Sequence, residues 1–398
     1  MKKFIVVFFV SLIGLPSFSQ LVAPQKGTGS KYFFSSYNIY FEVDTTNGAR
    51  ISSFKINNNE ILYNQSTQNM NGSTFWPSPQ SLWGWPPLSA IDNKPYKINI
   101  SNNKLIATSS IDTKLKIRVI KKFFFDSRDT SIHINYCIKN ENNVQKKYAH
   151  WEITRVPADG LVFFAKGQTD VSGNMATSVQ EINGIYWYDQ VNTISGDKFF
   201  CDGEGWLAFI NQSNYLFVKK FANINSSAAA TGEAEVEVYT SSDLAYSELE
   251  NQGAYTSLNP GDSIWWEVKW YVRQLPQGVQ VNKGNQDLVD FALQLVNKTD
   301  LPEIPDKPDN TSIKKFSSNK LKFIQNSYNK TARIENVPNY AFPIRVTFFN
   351  MLGTVVMSQT ITNDTSIINL RNLISGNYIA EMKMSNGVVD RTMVIIVK

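Results

Sequence analysis

The chain has 398 residues, of which 42% are hydrophobic and 18% are charged, and its formal net charge is +5. This apolar content suffices for a sizeable core, so a wholly disordered chain is excluded. Two cysteines exclude a disulfide-rich scaffold and a multi-cysteine zinc cluster, and no apolar run reaches the roughly 18 residues of a membrane-spanning helix.

The N-terminus has the features of a secretory signal peptide. Two lysines precede the apolar run 4–15, and Pro16–Ser19 supplies small residues before a cleavage point. This order of charged, apolar and small residues is typical of a signal peptide that is removed on export. We therefore expect residues 1–19 to be a signal peptide and the protein to be secreted or held at the cell surface.

The basic charge is concentrated at the C-terminus. Residues 313–398 contain 11 basic and 4 acidic side chains, a net charge of +7, which leaves −4 for residues 20–312. The larger part of the chain therefore has no basic excess of the kind that nucleic-acid-binding proteins carry. We expect no nucleic-acid partner.

Alternation of apolar and polar residues dominates residues 20–299. It is clear at 114–119, at 132–138 and at 265–272, with Asn-, Gly- and Ser-rich segments between. Period-two alternation is typical of antiparallel strands that bury one face. The sequence therefore predicts an all-β domain over residues 20–299.

The end of this domain is marked by a helix and a linker. Residues 285–298 have apolar positions at i, i+3, i+4 and i+7, which predicts a helix. Residues 300–312 are rich in Pro and acidic residues and have no periodicity, which indicates a linker. A second domain is then expected over 313–398. The apolar positions of the predicted helix are Leu288, Phe291, Ala292 and Leu295.

The C-terminal region is a short all-β module. Residues 344–348 alternate as a strand, 350–353 form a turn with Gly353, and the segment 370–378 reads Leu-x-x-Leu-x-Ser-Gly-x-Tyr before the closing strands. These motifs resemble the C-terminal sorting domain of the type IX secretion system of Bacteroidetes. The resemblance implies an export signal that contacts outer-membrane secretion machinery in a Gram-negative cell. A small β-sandwich that binds a ligand is the alternative.

Three motifs of the large domain occur in a characteristic order. Phe41–Phe54 is a strand, a Gly turn and a second strand, Thr74–Pro87 is rich in Trp and Pro, and Leu258–Ser263 is a Leu-Asn-Pro-Gly-Asp-Ser turn. Together, over residues 30–276, they resemble an uncharacterised secreted branch of the galactose-mutarotase-like superfamily. The resemblance implies a mutarotase-like β-supersandwich with a concave face that binds a sugar or an oligosaccharide, followed by a small C-terminal β-sandwich.

The resemblance also implies candidate catalytic residues. In that superfamily a Glu acts as base and a His as acid, which fits general acid–base chemistry near neutral pH. His150 precedes an aromatic strand as the acid does in the family, and Glu248 or Glu250 lies where the base is expected. Asn251-Gln252-Gly253 replaces the stretch that usually surrounds the base. If the protein is an enzyme, the resemblance predicts an aldose 1-epimerase.

Other polar residues around these positions are candidates for substrate contacts. Glu152 shares a strand face with His150 and is predicted to line the sugar cleft. Arg155 either pairs with an acidic sugar or forms a salt bridge at a strand edge. His133 is expected at the surface. Acidic residues that alternate with Ala and Val are expected to face solvent, namely Glu233, Glu235 and Glu237.

The segment 76–87 has an unusual composition, with three Trp and four Pro. Proline fixes φ and lacks a donor, so we expect a rigid loop and not an interior strand. Sugar C–H faces pack on indole rings. The segment is therefore predicted to form one wall of a sugar site, or else a plug over one end of the sandwich. Its candidate contacts are Trp76, Gln80, Trp83 and Trp85, with Trp187 as a second aromatic candidate.

Two further functions stay open beside the epimerase. One is a non-catalytic glycan-binding protein, and the other is a polysaccharide lyase or hydrolase on the same scaffold. The sequence has no His-x-x-x-His metal spacing and no nucleotide-binding loop, so we expect no metal and no cofactor. A disulfide between Cys137 and Cys201 is also left open.

Overall fold

A computed structural model gives the structure of the chain. The chain divides into two compact units, residues 1–307 and residues 308–398. The predicted signal peptide, 1–19, and the predicted linker, 300–312, lie outside the described residues. The described residues are 21–65, 70–190, 195–297, 322–326, 330–335, 342–350, 355–363, 365–383 and 389–396.

The described part of the first unit consists mainly of β-strands, as predicted. They are short to medium in length and are separated by turns. The strands are β1 (Leu21–Val22), β2 (Gln25–Lys26), β3 (Lys31–Ser36), β4 (Ile39–Asp44), β5 (Arg50–Ile56), β6 (Asn59–Glu60), β7 (Ser73–Ser78), β8 (Lys97–Ser101), β9 (Lys104–Thr108), β10 (Ile117–Asp126), β11 (Ser131–Asn140), β12 (Lys146–Pro157), β13 (Leu161–Ala165), β14 (Val179–Ile182), β15 (Ile185–Asp189), β16 (Asp197–Cys201), β17 (Trp206–Ile210), β18 (Tyr215–Phe221), β19 (Val236–Thr240), β20 (Tyr246–Gln252), β21 (Thr256–Leu258) and β22 (Ser263–Gln274).

These strands form two antiparallel sheets. Sheet I has the order β14-β15-β13-β17-β18-β22-β11-β10-β9-β8, with β1 beside β10. Sheet II has the order β16-β19-β20-β12-β7-β5-β4-β3-β2, with β21 beside β12 and β6 beside β5. The predicted all-β class is therefore confirmed, and each sheet contains eleven described strands.

The core lies between the two sheets. Aromatic side chains from one sheet meet those of the other, as in the pairs Phe54–Phe217 and Phe75–Tyr136, whose ring centroids lie 5.7 and 4.7 Å apart. Burial of such a side chain stabilises the fold by about 1.5–3 kcal/mol. We call the side of each sheet that faces the other sheet its inner face, and the opposite side its outer face.

The Trp- and Pro-rich segment is only partly a loop. Strand β7 runs through Trp76 and Pro77, so the expectation of a loop is wrong for these residues. Pro77 lies opposite His150 of β12. On its other side β7 pairs with β5 only at Ile51–Ser73, so no neighbouring strand there requires an N–H from residue 77. A 3₁₀ turn (Gln80–Leu82) and the short helix α1 (Ser89–Asp92) follow.

Helix α2 (Gln286–Val296) confirms the helix predicted near the end of the first unit. Its N-cap is Asn285, whose side chain accepts a hydrogen bond from the backbone N–H of Asp287 at 3.0 Å. Within the described ranges, the helices are too short and too polar to cross a lipid bilayer. The buried positions of α2 are Leu288, Val289, Ala292 and Leu295, so Val289 is buried in addition to the predicted stripe, while Phe291 is only half-buried.

The second unit is also built of strands. It has one sheet of order β23-β24-β27 and another of order β26-β25-β28-β29, and its core includes Ile344, Val346 and Phe348, as the alternation predicts. The predicted turn around Gly353 lies outside the described residues. The strands are β23 (Lys322–Asn326), β24 (Thr331–Glu335), β25 (Ile344–Asn350), β26 (Val355–Ile361), β27 (Ile368–Asn369), β28 (Gly376–Lys383) and β29 (Val389–Ile396).

Candidate functional site

His150 lies on the inner face of sheet II. It is 3% exposed, its ring stacks on Trp266 of sheet I at 5.7 Å, and its Nε2 lies 3.3 Å from the carbonyl oxygen of Ile264. Burial lowers the pKa of His150 to about 3, so the imidazole is neutral at physiological pH. A side chain enclosed between two sheets does not reach a sugar, which corrects its predicted role as acid.

Glu152 is also enclosed between the sheets, and not in a sugar cleft as predicted. Its carboxylate accepts hydrogen bonds from the Tyr136 hydroxyl at 2.7 Å and from Trp270 Nε1 at 3.2 Å. It also forms an ion pair with Lys219 at 2.9 Å, and both side chains are fully buried. Burial lowers the pKa of Lys219. Glu152 therefore belongs to the interior of the sandwich.

Glu248 and Glu250 lie on the outer face of sheet II. Strand β20 places Glu250 opposite Ile153 and Glu248 opposite Arg155, and these residues of β12 point away from His150 because side chains alternate along a strand. The predicted acid and the predicted bases therefore lie on opposite faces of one sheet. The pair that mutarotation requires at one sugar is not formed by these residues.

Glu250 and Glu237 share one lysine. Lys198 Nζ lies 3.0 Å from Glu250 and 2.8 Å from Glu237, and Trp151 Nε1 donates to Glu250 at 2.8 Å. Burial raises the pKa of both carboxyls while Lys198 opposes that rise. Burial lowers the pKa of Lys198, but the two carboxylates outweigh it and raise the pKa overall.

The expectation that the acidic residues of 233–237 face solvent is wrong for two of them. Glu237 and Glu235 are 0% and 1% exposed. Glu235 accepts hydrogen bonds from the backbone N–H groups of Gly203 and Ile224, both at 2.9 Å, and burial raises its pKa to about 7. Glu233 is half-buried and accepts from the backbone N–H of Gln80 at 2.8 Å.

Arg155 lies on the outer face of sheet II and is 1% exposed. It forms an ion pair with Glu248 at 2.7 Å, and its guanidinium lies 5.9 Å from the ring centre of Trp76 and 5.8 Å from that of Tyr246. In the part of the chain that the structure describes, its Nε and Nη1 have no hydrogen-bond partner. Of the two alternatives for Arg155, the salt bridge forms, and these two nitrogens keep donor capacity.

Three of the four predicted aromatic contacts are buried, namely Trp76, Trp83 and Trp187. Trp83 is 4% exposed, and its Nε1 donates to the carbonyl oxygen of Pro77 at 2.7 Å. Trp187 is 1% exposed and stacks on Phe163 in sheet I at 4.9 Å. None of these rings offers a face to a ligand, because each packs against other side chains, so all three predictions are corrected.

Trp85 is the exposed tryptophan of the segment, at 59%. It meets Trp76 edge to face at 6.1 Å, and Trp76 is held in turn by a hydrogen bond from its Nε1 to Asp92 at 2.9 Å. Gln80 is half-buried nearby in the sequence, within the 3₁₀ turn. Trp85 therefore presents an indole face to solvent from an anchored position.

A polar groove of about 780 Å³ follows the outer face of β3, β4 and β5. Glu42 lies within it and accepts hydrogen bonds from Lys31, Tyr40 and Ser52 at 2.7–2.8 Å. The groove also contains asparagine and serine side chains and charges of both signs. The polar lining residues include Ser35, Ser36, Asn38, Asp44, Asn47, Arg50, Ser53, Lys55, Asn58, Asn64 and Asn71.

Arg50 lines the groove and also pairs with the residue that holds Trp76. Its Nη2 lies 3.1 Å from Asp92, which is the partner of Trp76. Sequence reasoning missed Arg50, Asp92 and Lys198, because their roles depend on pairings across strands and no local motif marks them. The two cysteines are free and buried, so the disulfide that the sequence left open is not formed.

Residues 326–396 match the family of secretion system C-terminal sorting domains. The match confirms the predicted sorting domain. It indicates export through the type IX secretion system to the cell surface or the extracellular space, and it implies an interaction with the secretion machinery.

The chain is similar to several solved structures at low identity. A candidate aldose 1-epimerase from Escherichia coli is 13% identical, with a TM-score of 0.45, and the match covers 62% of this chain and 99% of that one. A galactose mutarotase-like protein from Clostridium acetobutylicum is 10% identical, with a TM-score of 0.44 and coverages of 64% and 99%. Another, from Lactobacillus casei, is 10% identical, with a TM-score of 0.43 and coverages of 61% and 99%. No curated protein matches the sequence.

Proposed function

We propose that this exported protein binds a neutral glycan on the outer face of sheet II, without catalysis. The observation that carries the proposal is Trp85, a 59% exposed indole that contacts Trp76 on a face that also carries charged and polar side chains. In this proposal residues 20–299 hold the ligand, and residues 313–398 serve export.

An exposed indole suits one face of a sugar ring. The C–H groups on that face pack against the aromatic ring while the hydroxyls turn toward polar partners. Trp85 is held edge to face by Trp76, so little side-chain freedom is lost when a ligand stacks on it. A fixed aromatic platform therefore favours a flat, partly apolar ligand such as a pyranose.

The groove beside the tryptophans suits hydroxyl groups. Its asparagines and serines can both donate and accept hydrogen bonds. Its charged residues are of both signs, with three cations against two anions, so the lining selects against a strongly charged ligand. The cations are Lys31, Arg50 and Lys55, and the anions are Glu42 and Asp44. A neutral oligosaccharide matches this composition better than a polyanion does.

The positions of the ionisable groups favour binding over catalysis. Glu237 and Glu250 are fully enclosed against Lys198, so neither reaches a glycosidic bond or an anomeric hydroxyl. His150 lies behind the sheet. An aldose 1-epimerase needs an acid and a base at one sugar, and a hydrolase needs two accessible carboxyls, so these alternatives have less support.

The proposal is tested by calorimetric titration of the protein with a panel of neutral and acidic oligosaccharides. We expect at least one neutral glycan to bind, and Trp85→Ala to weaken its affinity by about tenfold or more, which is about 1.4 kcal/mol. The matched control is Trp265→Ala, because Trp265 is 49% exposed but lies on sheet I. This control should bind as the wild type does.

Two results would contradict the proposal. One is equal affinity in the wild type and in Trp85→Ala, and the other is the absence of binding to every glycan tested. Mutarotation and reducing-end assays on any glycan that binds separate binding from catalysis. A rate above the uncatalysed background would overturn the statement that the face is non-catalytic.

A further inference from the structure

A cluster of possible metal ligands lies at one end of sheet I, away from the residues assigned to glycan binding. Asp126 ends β10, Asp129 lies in the following turn, and His133 lies on β11. One ligand atom from each of the three lies within 4.8 Å of the other two. Within the described residues, this is the one such group of three His, Cys, Asp or Glu side chains.

His133 is oriented as a metal-binding imidazole is. Its Nδ1 lies 2.9 Å from a carboxylate oxygen of Glu267, and its ring stacks on Phe124 at 4.5 Å. A carboxylate beside Nδ1 places the proton there and leaves the lone pair on Nε2, which is the usual arrangement around metal-bound histidines. His133 is 8% exposed, so the expectation that it lies at the surface is wrong.

Nε2 of His133 has no hydrogen-bond partner in the part of the chain that the structure describes, and it is buried. A buried polar atom without a partner lowers the stability of the fold, so a ligand bound to Nε2 would remove that loss of stability. This orphaned nitrogen is an observation independent of the two carboxylates, and it leaves His133 with a lone pair that a metal ion could accept.

We propose that Asp126, Asp129 and His133 bind one divalent transition-metal ion, with Zn²⁺ as the representative case. One imidazole nitrogen with two carboxylates suits Zn²⁺ better than Ca²⁺, which takes 6–8 oxygen ligands. Bonds of about 2.0–2.2 Å hold two ligands at most about 4.4 Å apart. In the tetrahedral coordination usual for Zn²⁺, two such ligand atoms lie about 3.3–3.6 Å apart. The side chains therefore close by at most about 1.5 Å from the separations in this structure.

Arg128 competes with the ion for one of the carboxylates. Its Nε lies 2.9 Å from both oxygens of Asp126, its Nη2 also pairs with Oδ2, and its backbone N–H donates to Oδ1 at 2.9 Å. The Arg128 side chain is 22% exposed, so it has room to move outward. Asp129 accepts hydrogen bonds from the backbone N–H of Ser131 at 3.1 Å, from the Ser131 hydroxyl, and from the Tyr271 hydroxyl at 3.3 Å. Arg273 donates to the backbone carbonyl of Asp129 and not to its carboxylate.

Metal titration of the full-length protein tests this site. The metal-stripped protein is titrated with Zn²⁺ by calorimetry and with Co²⁺ by visible absorption, which reports nitrogen and oxygen ligands directly. We expect one ion per chain, a loss of affinity of at least about tenfold in His133→Ala and in Asp129→Asn, and a gain of similar size in Arg128→Gln. The control Asp170→Asn should leave the affinity unchanged, because Asp170 is an 85% exposed carboxylate elsewhere.

A further variant, Glu267→Gln, keeps the test decisive if His133→Ala does not fold. Glu267→Gln preserves the imidazole but weakens its orientation, so it should lower Co²⁺ affinity while circular dichroism stays unchanged. The proposal is overturned if the wild type binds neither ion, or if the Co²⁺ spectrum is the same in the folded His133, Asp129 and Glu267 variants as in the wild type. Glycan binding does not involve these residues, so either proposal can fail without the other.

Discussion

The two faces of strand β12 differ in what their charged groups do. On the inner face, His150 and Glu152 are enclosed, and Glu152 is satisfied by Lys219 and Tyr136. On the outer face, Arg155 is just as buried, but two of its nitrogens lack partners among the described residues. The comparison teaches that equally buried charged groups differ in how much of their hydrogen-bonding capacity the fold uses, so burial by itself does not describe their environment.

The inner face should give the largest effect on stability. Lys219→Met leaves the Glu152 carboxylate buried without its ion-pair partner, which we expect to cost about 3–5 kcal/mol. Urea unfolding followed by tryptophan fluorescence measures this loss. In the double variant Glu152→Leu/Lys219→Met both charges are removed, so much of the stability should return. If Lys219→Met is as stable as the wild type, the ion pair between Lys219 and Glu152 does not contribute to the stability of the fold.

The next largest effect distinguishes two tryptophans of the same segment. Trp83→Ala removes a ring that is 4% exposed and should destabilise the protein by about 3 kcal/mol, whereas Trp85→Ala removes a 59% exposed ring and should change stability by less than about 0.5 kcal/mol. Thermal or urea unfolding of both variants checks this. Equal losses would contradict the assignment of Trp83 to packing and Trp85 to ligand contact.

A smaller effect concerns the pH dependence of stability at His150. Its pKa is 6.5 in a solvated chain and about 3 in the fold, so between these values the unfolded chain binds a proton that the folded protein does not. Stability therefore falls as pH decreases from 7 to 5, with a contribution of about 2 kcal/mol from this residue. Urea unfolding at both pH values should show this contribution in the wild type and not in His150→Gln. If the wild type and His150→Gln lost the same stability between pH 7 and pH 5, the assignment of His150 as an enclosed, neutral imidazole would be contradicted.

Local patterns predicted much of the fold. The alternation at 132–138 and 265–272 lies in β11 and β22, and the apolar stripe of 285–298 lies in α2. The segment 344–348 lies in β25, with its three apolar residues buried. These predictions held because each element has one apolar face, so that the spacing of its apolar residues is visible in the sequence.

The candidate site was only partly predictable. Trp85 is exposed, and its neighbours Trp76 and Arg155 lie on the same face of sheet II, whereas its role in binding a sugar stays a prediction. Trp83 lies on that face too but is buried against Trp76 and Trp151, whereas His150, Glu152 and Trp187 lie elsewhere. Polar interior side chains such as Glu152 are satisfied by the opposite sheet, yet they look like catalytic residues in the sequence. The partners that reveal their structural role lie as far as 118 positions away along the chain.

The sequence by itself determined the strand and helix periods, the sorting domain at the C-terminus and the unusual Trp- and Pro-rich segment. Only the tertiary structure decided which face of β12 meets the other sheet. Nearly every residue of that strand is buried, so alternation does not distinguish the inner face from the outer face. Ion pairs, hydrogen bonds and the orphaned nitrogens of Arg155 and His133 arise from contacts between distant strands, which local sequence does not encode.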